Sequence, residues 1–185
     1  MRRDRIEGEC LYLRRITEAD TEQIIKWRNM PHVVERFLYR QPVTRQDHEK
    51  WLKEQVGTGR VEQFIIVLRE GEREIGSQYF SNIDREAGSA EFGIFIGEED
   101  VLGQGYGTEV LQLALTYAFG DMGMREVTLR ALADNTRAIR SYEACGFTLC
   151  PELSETMRID GRDRQVVHMV TAAYGHGAYA EPDKQ

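Results

Sequence analysis

Three glycines on every second residue, Gly103, Gly105 and Gly107, stand immediately before a stretch of apolar periodicity that begins at Thr108. Such a spacing lets the backbone turn sharply and aim several N–H groups at one point. The start of a helix adds its own unpaired amides and the positive end of its dipole. The chemistry on offer is anion binding, a phosphate above all, with no basic side chain required. Two better-defined loops fail on spacing: a dinucleotide fingerprint needs Gly or Ala where Thr108 stands, and no Gly-Lys-Ser/Thr is present for a P-loop. An ordinary glycine-rich connection between a strand and a helix has the same composition, so both readings stay open on this loop alone.

Other chemistry-bearing residues are scattered. Cys10, Cys145 and Cys150 are odd in number and never spaced as Cys-x-x-Cys, so neither a disulfide framework nor a zinc site is expected. His32, His48, His168 and His176 form no ligand pattern, and Asp47-His48-Glu49 lacks a second histidine at zincin spacing. No metal is expected. A net charge of −7 argues against nucleic acid or an anionic membrane as main partner and is compatible with a cationic acceptor. The charged start Met1-Arg-Arg-Asp-Arg5 has no apolar run after it, and no stretch approaches the roughly 18–20 apolar residues of a membrane span. A reducing cytoplasm is the expected location, with no membrane association.

The elements that must position the glycine loop follow from periodicity. Ala90, Phe92, Ile94 and Ile96 alternate with Glu91, Gly93, Phe95 and Gly97, the period of a strand; from Thr108, Val110, Leu111, Ala114, Leu115, Ala118 and Phe119 give a helix one apolar side. Upstream, Cys10 to Arg15 reads as a strand, Thr17 with Asp20 as a helix start, and the helix runs to about Asn29, before Met30-Pro31. His32 to Glu35 has the makings of a short helical turn, and Thr44 with Asp47 restarts a helix to about Gln55. Phe64 to Leu68 is a continuous apolar run, as in a strand buried on both faces, and Glu70-Gly71-Glu72 turns into a strand at Ile75 to Phe80. Three strands joined by short loops predict an antiparallel meander. Val127 to Ala131 is a further strand, parallel to the central one across the crossover helix. A helix from Thr136 to about Cys145, strands at Phe147 to Cys150 and Arg164 to Ala173, and a loop over 151–163 with an Asp160-Gly161 turn complete the reading. At 185 residues, 41% of them hydrophobic, the chain is read as one α/β domain over 1–175, with a flexible tail over 176–185.

Three pieces in this order, Ala90-Glu-Phe-Gly-Ile-Phe-Ile96, Gly103-Gln-Gly-Tyr-Gly-Thr108 and Asp134-Asn-Thr-Arg-Ala-Ile-Arg-Ser-Tyr-Glu-Ala-Cys-Gly-Phe147, resemble the GNAT acetyltransferase superfamily over roughly residues 9 to 173. With Trp27-Arg28-Asn29, the layout is similar to the branch of ribosomal-protein and polyamine acetyltransferases, and to enzymes acetylating amino groups on nucleotide-linked sugars. The resemblance implies a GNAT fold: a mixed, mostly antiparallel sheet of about seven strands with a splayed parallel pair and helices on both faces. It implies acetyl transfer from acetyl-CoA to a primary amine of a small molecule or a protein N-terminus, by direct attack in a ternary complex, and leaves a homodimer open. A non-catalytic acyl-CoA sensor of the same fold is the rival reading.

The resemblance also implies roles. Gly103, Gln104, Gly105, Tyr106, Gly107 and Thr108 would hold the CoA diphosphate, and the backbone of Ile94, Phe95, Ile96 and Gly97 would pair with pantetheine. Leu102 departs from the Arg or Gln frequent there. Tyr142 would give the leaving thiolate its proton; seven residues after Asn135, it shares a helix face with it. Glu91, on the strand face of Phe95, would draw a proton from the acceptor ammonium, directly or through water; a solvated carboxylate is its ordinary alternative. Asn135 would contact pantetheine or diphosphate, or simply cap its helix, and Arg140 or Arg137 would meet the 3′-phosphate, although exposed helix arginines are commonly just solvated. Trp27, Arg28, Phe37, His48 and Trp51 would wall the acceptor site, against the alternative that such tryptophans are core.

Overall fold

A computed structural model describes residues 3–173. The region 176–185 expected to be a tail lies outside the described residues.

The chain opens with β1 (Arg5–Glu7) and β2 (Leu11–Arg15). Thr17 and Asp20 form the expected capping box, and α1 (Thr21–Arg28) follows one 3₁₀ turn. α2 (Pro31–Val34) is the expected short turn, with Pro31 in its first position. α3 (Arg45–Trp51) starts on the Thr44–Asp47 capping box and runs on as one π turn over Leu52–Val56. The meander is β3 (Glu62–Leu68), β4 (Arg73–Asp84) and β5 (Ser89–Ile96). Every residue of β3 is buried, which explains its unbroken apolar run. Then come α4 (Tyr106–Gly120), β6 (Glu126–Leu132), α5 (Thr136–Ala144), β7 (Thr148–Leu149), β8 (Glu155–Ile159) and β9 (Arg162–Ala172).

These strands form one sheet in the order β1-β2-β3-β4-β5-β6-β9-β7, with β8 added on β9. Only β5 and β6 run parallel. Nine strands, not about seven, are present among the described residues. β1 escaped the sequence reading because it has three residues and buries only Ile6. β8 falls within the stretch 151–163 that the sequence reads as loop: all of its residues but Met157 and Ile159 are exposed, so its alternation carries little apolar signal. The expected turn is there: Asp160 and Gly161 both take positive φ and close the β8–β9 hairpin.

The two sheet faces are covered differently. On one, Val110, Leu111, Ala114, Leu115 and Ala118 of α4 pack over Leu13, Phe64, Ile66, Phe92 and Leu129. On the other, Ile24 and Trp27 of α1 pack over Tyr12, Ile65, Val67 and Phe95. Alternation along β5 therefore sends Phe92, Ile94 and Ile96 toward α4, and Glu91, Gly93 and Phe95 toward α1. The connection after α2 crosses to the far hairpin, where Leu38 packs on Ile159 and Val166 and Arg40 bonds Asp160 at 2.8 Å.

Candidate active site

The glycine loop is a helix start with its amides uncommitted. Gly103 and Gly105 hold φ near +90°, the left-handed region that side chains resist, and Gly105 is the residue before α4. The helix begins at Tyr106, two residues earlier than periodicity indicated, so Gly107 and Thr108 lie in its first turn. Thr108 and Glu109 donate back to the Gly105 carbonyl, while the five N–H groups from Gly103 to Gly107 have no acceptor among the described residues. A Cβ added at Gly105 or Gly107 would meet nothing within 4 Å. Open space, five free donors and the helix dipole fit a diphosphate. The side chain beside this loop is Arg137, whose Nη2 would lie 3.0 Å from a Cβ at Gly103. Arg140 is fully on the surface, away from any partner among the described residues. Gln104 turns back to the Asp100 carbonyl at 2.9 Å.

A gap opens beside the loop. β5 and β6 pair only from Ser89 to Glu91, against Glu126 to Thr128. Past Glu91 the strands separate, and β5 stays bonded to β4 on its other edge. The Gly97 N–H is spent on the Ile75 carbonyl at 2.8 Å, so alternation turns the N–H and C=O groups of Ile94 and Ile96 into the gap. His32 Nε2 lies 3.3 Å from the Ile96 carbonyl, which leaves the Ile94 groups and the Ile96 N–H. A pantetheine pairing through Gly97 N–H is thereby ruled out, since that donor is taken.

Across the gap stands α5. Tyr142 packs its ring edge-on to Phe92 and tilted to Phe147, with centroids 6.4 and 6.0 Å away. Its hydroxyl has no hydrogen-bond partner among the described residues, and burial, helped by the nearby Tyr79, pushes its pKa up to about 12. It is held as an O–H donor. Asn135 precedes the helix as expected, but its side chain makes no capping bond, so the amide is uncommitted.

The α1 side of the gap has a different chemistry. Glu91 accepts from Asn82 Nδ2 at 2.8 Å and from Arg130 Nε at 3.0 Å, so both its oxygens are engaged. It is an ion-paired carboxylate, not simply a solvated one. Tyr79, from β4, lays its ring over Gly93, where a Cβ would fall 2.2 Å from Cζ. Burial raises the Tyr79 pKa, with Arg28 and Arg130 opposing and Glu91 adding to the rise. Arg28 stacks its guanidinium 3.4 Å from the Phe37 ring centroid and 5.9 Å from that of Phe95. Trp51 is half-buried, donates to Gln63 at 2.8 Å and meets Tyr79 edge-on.

Two residues expected in the acceptor wall belong to the core instead. Trp27 is completely buried beneath Gly97, with its Nε1–H on Glu98 at 2.7 Å. His48 is buried between α3 and α1, its Nδ1 3.1 Å from Thr21 Oγ1, and burial lowers its pKa. Both sit on the inward faces of amphipathic helices, where apolar contact outweighs a polar tip. Sequence reasoning missed Tyr79 and Arg130. Tyr79 follows the polar Ser77-Gln78 in a strand that read as an ordinary meander member, and Arg130 points at Glu91 only because β6 pairs with β5.

Among the described residues no three or more His, Cys, Asp or Glu side chains converge on a possible metal position, and no helix is long and apolar enough to cross a membrane. The three cysteines are unpaired.

Comparisons with known proteins agree with this geometry. Residues 11–148 match the acetyltransferase (GNAT) domain model. An uncharacterized protein of Methanocaldococcus jannaschii is 30% identical over 145 residues, 76% of this chain, and the chain spans only 28% of that longer protein. The spermidine N(1)-acetyltransferase of Vibrio cholerae is 35% identical over 81 residues, 44% of this chain and 46% of the relative. A crystal structure of spermidine N-acetyltransferase from Vibrio cholerae, in complex with CoA and spermine, superposes with a TM-score of 0.83 at 23% identity, covering 91% of this chain and 98% of that one. The expected resemblance is thus met in family model and in fold: the chain belongs to the GNAT acetyltransferase family, whose co-substrate is acetyl-CoA.

Proposed function

We propose that the protein transfers the acetyl group of acetyl-CoA to a primary amine by direct attack in a ternary complex. The observation that carries the reading is that the free amides of Gly103 to Gly107 follow closely on the strand that splays from β6, while Tyr142 of α5 packs on Phe92 of that same strand with its hydroxyl unpartnered and Tyr79 nearby. The five amides, with Arg137 beside them, would hold the diphosphate. The Ile94 backbone and the Asn135 amide would hold pantetheine. When bound, acetyl-CoA supplies an acetyl group activated as a thioester.

The chain's residues divide the remaining work. An N–H of Ile94 or Ile96 polarises the carbonyl oxygen. As the C–N bond forms and the C–S bond breaks, Tyr142 Oη gives its proton to the departing sulfur and is reprotonated, through water, by the proton the new amide nitrogen loses. Because Arg130 and Asn82 engage Glu91, it receives the ammonium proton through water and orients the amine electrostatically. Tyr79 and Phe37 exclude water from the α1 side, and Arg28 and Trp51 contribute to the acceptor wall.

Release of free CoA, followed over a panel of amines, tests the reading. Turnover with at least one amine, reduced at least about tenfold in Tyr142→Phe, is the expected result. Acetyl-CoA binding by calorimetry without CoA release from any amine would favour a non-catalytic acyl-CoA sensor. The relative's spermidine places one cationic class on the panel; amino sugars on nucleotides and peptide N-termini are the others.

A further inference from the structure

Six arginines of the described chain are half-buried, and one differs from the rest. Arg14 bonds Asp20, Arg15 meets Glu62, Arg40 bonds Asp160, Arg130 bonds Glu91 and Arg164 bonds Asp134, all within 3.2 Å. Arg28 has no carboxylate within reach among the described residues. Its Nη1 is wholly shielded from solvent without a hydrogen-bond partner, although the residue as a whole is half-buried. Scarcity of acid is not the reason, since the chain has 31 Asp and Glu against 24 Lys and Arg.

What surrounds Arg28 is aromatic. Phe37 lies against the face of the guanidinium at 3.4 Å, Phe95 stands at 5.9 Å, and the Tyr79 phenol is the polar group whose charge state it senses. Stacking on Phe37 orients the fork and offsets part of the burial, but an aromatic face takes no N–H bonds from the guanidinium edge. A desolvated cation with an unmade hydrogen bond is costly in a finished core and useful in a binding site, where an anion completes it. Burial drives the Arg28 pKa down, consistent with a guanidinium awaiting a counter-charge. The position matches that use. Phe95 and Glu91 share the α1-facing side of β5 four residues apart, about 13 Å along the strand, so an acceptor with its amine near Glu91 and Tyr142 reaches Arg28 with its other end.

We infer that the acceptor is an amine that also carries an anionic group, a carboxylate or a phosphate, and that Arg28 is the residue that selects it. This rests on the transferase reading above. It sets the protein apart from an enzyme built for polyamines, whose second ammonium group would meet the Arg28 cation instead of a carboxylate.

The test needs no variant to begin. CoA release is measured for amines long enough to span the distance between Glu91 and Arg28, 8-aminooctanol, 8-aminooctyl phosphate and 8-aminooctanoate, for glucosamine and its nucleoside-diphosphate-linked form, and for spermidine. The expected result is kcat/KM at least tenfold higher for the anionic member of each set than for its uncharged counterpart or for spermidine; whether phosphate or carboxylate ranks first identifies the group. Arg28→Gln and Arg28→Lys follow. Gln should collapse the anionic preference and raise the anionic KM at least tenfold at constant acetyl-CoA KM, and Lys should restore part of it. A purely structural Arg28 would instead move both KM values and the melting temperature together. Calorimetry of the same amines on the CoA-saturated protein supplies an arm independent of turnover. No CoA release from any amine, with anion binding that Arg28→Gln abolishes, would sink the transferase reading and keep the anion subsite. Equal or better use of spermidine, or neither anionic preference nor Arg28-dependent binding across the panel, overturns the inference.

Discussion

The phenol ring of Tyr79 occupies the space a side chain at position 93 would need: a Cβ on Gly93 would lie 2.2 Å from Tyr79 Cζ and 2.6 Å from its hydroxyl oxygen. The pair is set by register, since Tyr79 and Gly93 face each other across the β4–β5 ladder. One strand must lack a side chain so that the other can lay its ring over the middle of the splayed edge. Gly93→Ala is expected to displace the ring, lowering stability by about 1–3 kcal/mol as overpacking does and reducing kcat/KM. Adding Tyr79→Ala should return much of the melting temperature but not the activity, a non-additive outcome read in a double-mutant cycle. Additive losses of stability would show that the two residues do not compete for the same space.

Tyr142→Phe keeps the ring that packs on Phe92 and Phe147 and deletes only the hydroxyl, which bonds nothing within the described chain. General acid catalysis contributes roughly 10²–10⁴-fold, so kcat should fall at least about tenfold, with acetyl-CoA affinity and melting temperature close to wild type. Steady-state kinetics beside thermal unfolding check this. Stability lost with kcat retained would mark Tyr142 as a packing residue only.

The loop can be blocked without straining it. Gly105 sits at φ 90°, where any replacement is strained, but Gly107 lies in the first turn of α4 with open space beside it. A glutamate there suits both helix propensity and the helix dipole. Gly107→Glu should therefore hold or raise the melting temperature while weakening acetyl-CoA binding more than tenfold, because its carboxylate competes for the amides. Calorimetry showing wild-type affinity would remove the loop from the binding site.

Alkaline pH should unfold the protein through its buried tyrosines, Tyr117 and Tyr142 among them. Burial, with Glu62 as its bonded partner, pushes Tyr117 to about 12, and burial with Tyr79 does the same for Tyr142. Both values exceed the roughly pH 10 of an unfolded tyrosine, so the unfolded state loses its protons first. Stability is then fully present below about pH 10 and declines as pH rises toward 12. Denaturant melts between pH 9 and 12 should show this decline, smaller in Tyr142→Phe. A flat profile would contradict the burial of these hydroxyl groups.

Local chemistry carried much of this protein in the sequence alone. The capping boxes at Thr17 and Thr44, the apolar run of Phe64 to Leu68, the alternation of Ala90 to Ile96 and the glycine spacing before α4 each depend on residues a few positions apart, so each could be read without a fold. The motif resemblance placed Tyr142 and Asn135 on one helix face for the same reason. What needed the tertiary structure was every relationship between strands distant in sequence. That the β5–β6 ladder stops at Glu91, that Arg130 claims the Glu91 carboxylate and that Tyr79 settles on Gly93 are consequences of register, which no single stretch encodes. Burial decided the rest. Trp27, Arg28 and His48 carried the same expectation, yet Trp27 and His48 turn into the core while Arg28, next to Trp27 at the end of α1, keeps a guanidinium that no carboxylate of the described chain reaches. A helix stripe states which residues point inward; only the packed layers determine whether inward means core or binding site.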